Sequence, residues 1–282
     1  MKTLILNSSN ILPGSNNSEL IYNFPTGSVE FKNDEVAVST ISMYYSWFNI
    51  DSRLYNNNIF QYVWLGTTYT VTIPNGNYSI SQLNAYLQYV MIQNNHYLID
   101  SSSNNVYYLE LTVNQTLYKI EFTSYPIPTA LPLGWSSPVG WPGFPLVAET
   151  PQLVILTNGF RDIIGFNAGT YPPVVQSTTY TKVSDFTPQV TPVNSLVMEC
   201  SLINNNLSIP SRLLFSFTPS NTTFGAVLTV QPPEYTWNEI QNGFYNQFSI
   251  KFLDQNLRNV IIQDPQMVIL LAIKRKNDLS LK

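Results

Sequence analysis

The chain has 282 residues, enough for one large all-β domain or two small ones. Only 11% are charged, 13 Lys and Arg against 17 Asp and Glu, where a globular domain carries about 25%. The formal net charge of -4 excludes a chain that holds nucleic acid by overall charge, and the single cysteine, Cys200, excludes an internal disulfide or a cysteine metal cluster.

Asn, Ser, Thr, Gln and Tyr take the place of charge. A surface that is polar without being charged suits a protein covered by neighbours, because a buried charge costs more than a buried neutral polar group. Compositional drift in an Asn-rich coding sequence is an equal reading. The opening "MKTLILNSSN" has too short an apolar run for a signal peptide core, and no cleavage pattern follows. "MVILLAI", residues 267 to 273, is a strand length and far from the roughly 20 residues of a membrane helix. The N-x-S/T sites, such as Asn77 to Ser79, are expected by chance in this composition.

In chain order, "ELIYNF" (19–24) and "SVEF" (28–31) read as strands around a turn. "VAVSTISMYYSWFNI" (36–50) follows, with no charged residue. Ile41, Met43, Tyr45 and Trp47 share one face; Ser42, Tyr44, Ser46 and Phe48 share the other. Val36 and Val38 have the opposite parity to Ile41, which predicts a bulge near Ser39 to Thr40. Aromatics on both faces call for two covers, the domain core and a loop or a neighbouring subunit. "NIFQYVWL" (58–65) and "TTYTVTI" (67–73) join around Gly66. "NYSISQLNAYLQYVMIQNN" is the best helix, with Ile80, Leu83, Leu87, Val90 and Met91 as its apolar stripe. Ser79 and Gln82 form a capping box, Asn94 and Asn95 end the helix, and it is expected over an open end of a sandwich or beside a sheet.

"VYYLELTV" (106–113) and "TLYKIEFT" (116–123) read as a hairpin turning at "NQ". Further strands are expected at 152–157, 195–203, 212–217, 224–231, 244–254, 259–264 and 267–275. About a dozen short strands with turns between them argue a sandwich or barrel. "NGFRDIIGF" is a short helix that buries Phe160, Ile163 and Ile164 and stops at Gly165. Two stretches, 124–146 with Trp135 and Trp141 and the Pro/Thr-rich 167–194, are predicted long loops, suited more to contact than to catalysis.

No strong catalytic motif is present. His96, the only histidine, has no relay partner in the sequence and reads as a loop or edge residue. Zinc sites need several His or Cys ligands. Glu234 and Glu239 flank Trp237 in "EYTWNEI", which invites a glycoside reading, although a capped turn explains the same residues. Asp254 and Asp264 sit at strand ends where Ca2+ is conceivable, without an Asp-x-Asp pattern. The glycines of "LGWSSPVGWPG" precede no Lys-Ser or Lys-Thr pair. The basic cluster Lys274, Arg275 and Lys276, with Lys282 beyond, is a candidate contact for nucleic acid or an acidic partner, or an edge guard. The chain is therefore expected not to be an enzyme, and to need no cofactor or metal.

Four stretches resemble a known family: "YNFP…VEFKNDEVAVSTISMYYSWFNI", "VTIPNGNYSISQLNAYLQ", "FRDIIGF…GTYPP" and "SIKFLDQNLRNVIIQDPQMVILLAIK". Together they resemble penton (minor capsid) proteins of virophages and Polinton/Maverick-type viruses. The resemblance covers most of the chain, and its motifs are structural. It implies an all-β fold: a single jelly-roll β-sandwich over 1–282 with one or two short helices, long Pro/Gly-rich loops and an inserted outer region at about 124–194. It implies a homopentamer that plugs the vertices of an icosahedral capsid, against a major capsid protein of double jelly-roll type and other minor capsid proteins. That places the chain in a virion assembled in the host cell cytoplasm. Tyr44, Phe48, Tyr62, Trp135 and Trp141 are the contact candidates by composition, each equally open to a place in the core. The alternative is a carbohydrate-binding sandwich of a viral spike or lectin-like protein.

Overall fold

A computed structural model describes residues 1–220 and 222–276. The chain divides into two compact units, Met1–Trp47 with Val193–Lys282, and Phe48–Pro192. Both are mostly β-sheet, and helices are few and short. No helix among the described residues is long and apolar enough to cross a membrane.

The first unit is a β-sandwich-like body with eight principal strands: β1 (Lys2–Asn7), β2 (Glu19–Asn23), β3 (Asp34–Tyr44), β4 (Leu196–Cys200), β5 (Leu213–Phe217), β6 (Val227–Val230), β7 (Gln247–Asp254) and β8 (Met267–Arg275). They form two four-stranded sheets, ordered β1-β8-β3-β6 and β5-β4-β7-β2, and every pairing is antiparallel. Asn238–Glu239 adds a short pairing to β3, and Val29–Phe31 pairs with Gly243–Tyr245. Alternation sets the core. Ile41, Met43, Ile269, Leu271 and Ile273 are buried from one sheet; Leu196, Met198, Cys200, Ile250 and Phe252 are buried from the other.

The phase change in β3 is a bulge. Thr40 faces Leu270 and Val38 faces Leu271, so Ser39 has no opposite residue. That one extra residue returns Val36 and Val38 to the same inner face as Ile41 and Met43, and all four are buried. Regular pairing of β3 ends at Tyr44, although Tyr45 N–H still donates to Ala226 O at 3.0 Å.

The second unit holds the hairpin Ile59–Trp64 and Thr67–Thr72, turned by Leu65 and Gly66, both at positive φ (46° and 76°). This is the backbone that a two-residue hairpin demands. Gln152–Ile155 and Gly169–Tyr171 extend its sheet. A second sheet pairs Lys119–Ser124 with Leu109–Asn114 and Tyr180–Val183. The helix α1 (Ile80–Gln93) carries the predicted box: Ser79 Oγ accepts from Gln82 N–H, and Gln82 Oε1 accepts from Ser79 N–H. It lies beside a sheet, where Leu111 N–H donates to Asn84 Oδ1 at 2.8 Å. Ile80, Leu83, Leu87 and Met91 are buried, with Val90 at the margin. The helix α2 (Phe160–Ile164) ends at Gly165 with φ 76°.

Three expectations are corrected. Residues 259–264 are not a strand; Val260 and Ile262 are buried, and the Ile262 backbone is held by the 16–17 turn, its N–H donating to Asn16 O at 3.0 Å and its carbonyl accepting from Asn17 Nδ2 at 2.8 Å. The hairpin near 114 turns over 115–118, with Tyr118 at φ 52°, so its second strand starts at Lys119. The stretch 167–194 is not all loop, since 169–171 and 180–183 each pair with a strand. The second unit runs from Phe48 to Pro192 and takes in most of 124–194. The reason is packing: Phe122, Leu153 and Phe160 share one core with Phe60, Leu87 and Leu98.

Candidate assembly surfaces

The outer face of the β1-β8-β3-β6 sheet is uncharged at one end, with apolar side chains among neutral polar ones. Register places Ile5, Leu270 and Thr40 in one row, Asn7, Val268, Ser42 and Thr229 in the next, and Tyr44 with Val227 in the last. Ile5 is 56% exposed, Val227 51% and Val268 43%. A hollow of about 650 Å³ opens there, lined by Asn7, Ser42, Tyr44, Val227 and Val268. Tyr44, a predicted contact residue, therefore stands half-buried at the rim of an exposed uncharged strip.

The other end of the same strands is closed. Ser39 Oγ and Tyr235 OH are 3.3 Å apart, and Lys274 Nζ lies 4.2 Å above the Trp237 ring and 3.4 Å from Glu35. Lys276 pairs with Glu239, and Arg275 is exposed. Two of the three basic residues thus have acidic partners within the chain; Lys282 lies outside the described residues. The glycoside reading loses its parts in the same place, because Trp237 is faced by a lysine, Glu239 is ion-paired and Glu234 is exposed.

The remaining contact candidates belong to the second unit. Tyr62 is fully buried in the core, one of the two places left open for it. Trp135 and Trp141 are partly buried and pack on the core of this unit, Trp141 edge-on to Trp64 with ring centroids 5.7 Å apart. Phe48 is half-buried. Aromatic size suits an interface, and the same property drives aromatics inward. The side chains fully in solvent nearby are aliphatic: Leu133 (101%), Val139 (98%) and Leu146 (101%). Sequence reasoning missed them because no local pattern separates an exposed leucine in a loop from a buried one.

His96 lies in a loop, as expected, but in the core rather than at an edge. It is 1% exposed, stacked on Trp64 at 4.5 Å and edge-on to Tyr69 at 4.7 Å. Asn94 Nδ2 donates to Tyr62 OH at 3.0 Å, which leaves the phenol to donate to His96 Nδ1 at 2.9 Å. The imidazole then carries its proton on Nε2. Burial lowers its pKa to about 4 and raises that of Tyr62, so both stay neutral. Among the described residues the imidazole's hydrogen-bond partner is the Tyr62 phenol, and no serine, cysteine or carboxylate side chain is joined to the ring.

Cys200 is buried within β4, and burial pushes its thiol up to about 12, far from a reactive thiolate. Asp254 spends its oxygens on Arg258 Nε and Nη2, both at 2.8 Å, and on the N–H groups of Asn256 and Arg258. Asp264 accepts from Gln266 N–H. Among the described residues no group of three or more His, Cys, Asp and Glu is arranged to hold a metal ion.

No family model matches the sequence, and no curated protein matches it. Among solved structures, the selenomethionine-labelled penton protein of mavirus is similar with a TM-score of 0.46 at 12% identity, over 96% of this chain and 98% of that one. A chain in the structure of the Sputnik virophage is similar with a TM-score of 0.36 at 12% identity, over the full length of both.

Proposed function

We propose that the chain is a structural capsid protein whose first unit is a single jelly roll, and that it forms pentameric vertices of an icosahedral virus shell. The observation that carries this reading is the pairing of the eight strands. β1 pairs with β8, β2 with β7, β3 with β6 and β4 with β5, the order of one long antiparallel ribbon folded over itself into two sheets. Eight strands in two interleaved Greek keys is the architecture of capsid and lectin jelly rolls. The second unit enters between β3 and β4, so the sandwich stays continuous while a second body of independent core is added. The uncharged strip around Val268 and the low charge of the whole chain support assembly over chemistry, since interface cores are poor in Lys, Glu and Asp. Five-fold symmetry rests on the sequence resemblance. The lectin-like alternative is weakened by the lysine over Trp237.

Electron microscopy of the purified protein tests the proposal. Rings of five with class averages at five-fold symmetry are expected; a monomer that is retained on a glycan array would overturn it in favour of the lectin-like alternative.

A further inference from the structure

Leu133 and Val139 sit on two turns built alike. In "PLGW" Trp135 N–H donates to Pro132 O at 3.0 Å, with Gly134 at φ 78°; in "PVGW" Trp141 N–H donates to Pro138 O at 3.2 Å, with Gly140 at φ 87°. A positive φ at the third position is what a type II turn requires of a glycine. At Gly140 a Cβ would also lie 2.8 Å from Asn95 Nδ2, so the Asn95 side chain would have to move aside. Each turn sends its tryptophan onto the core of the second unit and its aliphatic residue into solvent. Tips of turns ordinarily carry Asn, Asp, Ser, Gly or Pro. Here both carry a fully exposed apolar side chain, and Leu146 and Val147 (70%) add to them on the same loop.

The loop is held rather than loose. Ile127 bridges Glu149 at its base, Ile99 bridges Ser136 between the two turns, and Phe144 packs on the core with the tryptophans. An apolar surface fixed in advance loses little conformational entropy on binding. Between Glu121 and Glu149 the sequence has no charged residue. The stretch therefore offers nothing to a charged partner, and two copies of it meet without like-charge repulsion. A lipid surface is the poorer match: loops and helices that bind membranes are flanked by Lys and Arg, and this chain has a net charge of -4 and no basic residue in the loop.

We propose that this two-turn loop is a self-recognition surface, with Leu133, Val139 and Leu146 packing against a second copy of the chain. The proposal rests on the assembly reading above and names one of its contacts. The test is sedimentation of the full chain beside the triple variant Leu133→Ser, Val139→Ser, Leu146→Ser. These side chains are in solvent, so an unchanged thermal melt is expected and confirms that the variant folds. The expected result is an assembled wild type and a variant whose association is weaker by at least about tenfold. If the wild type assembles and the folded variant assembles equally well, the loop inference is overturned and the assembly reading stands. If the wild type stays monomeric, both fall. If the wild type instead cosediments with phosphatidylcholine vesicles and the variant does not, the occupant is lipid and self-recognition is overturned.

Discussion

His96 shows how one buried side chain acquires a pH-dependent role without catalysis. Its pKa of about 4 in the fold lies below the ordinary value of 6.5, because burial against Trp64 and Tyr69 disfavours the charged ring. The unfolded chain therefore binds the extra proton first. The stabilising contribution is complete above pH 6.5, falls as pH drops towards 4 and is level below that, with a ceiling of about 3 kcal/mol. Urea unfolding of the wild type and His96→Asn at pH 7.5 and 4.5 checks this, with the variant expected to lose less stability on acidification; equal losses would contradict it. The sequence announced only that there is one histidine. Its burial depends on Trp64 and Tyr69 from a hairpin some thirty residues earlier, a contact that local pattern does not encode. Tyr62 went the same way: alternation grouped it correctly with Phe60 and Trp64, but did not say whether their shared face looks into a core or out to a neighbour.

Elements were legible where local chemistry is self-sufficient. The capping box at Ser79 and Gln82 and the glycine stop at Gly165 depend on residues within a few positions, and both stand as read. Ser79→Ala is expected to cost about 1 kcal/mol, measured by chemical denaturation. Gly165→Ala should cost more, roughly 2–4 kcal/mol, because a Cβ there would lie 2.4 Å from Phe186 O on a backbone at φ 76°. A loss below that of Ser79→Ala would contradict the close approach. The bulge at Ser39 was also legible, since one inserted residue is what reverses the parity of an apolar strand whose inner face stays the same. Residues 259–264 were misread because burial alone produces an apolar run, and only the partner strand distinguishes a ladder from a buried extended segment. The strands at 169–171 and 180–183 were missed for the converse reason: Pro and Thr around them carry no period, and their partners lie far off in sequence.

At the scale of the molecule, the sheet content was plain in the sequence and the division into units was not. Phe48 lies inside an aromatic-rich stretch and Pro192 inside a Pro/Thr-rich one, so neither composition marks the boundary at its residue, and only shared cores reveal it. The proposed function rests on water being excluded between copies of the chain, at the open end of the β1-β8-β3-β6 face among other places. Val268→Asp puts a charge into that face at a residue 43% exposed. It should leave the melting of the isolated chain within about 0.5 kcal/mol of wild type and weaken assembly. Unchanged assembly by native mass spectrometry would exclude this face. The most direct measurement is the mass of the purified wild-type protein by light scattering over a rising concentration series. The account predicts a plateau near 160 kDa, about five chains of 32.0 kDa. A mass that stays at a single chain throughout would contradict it.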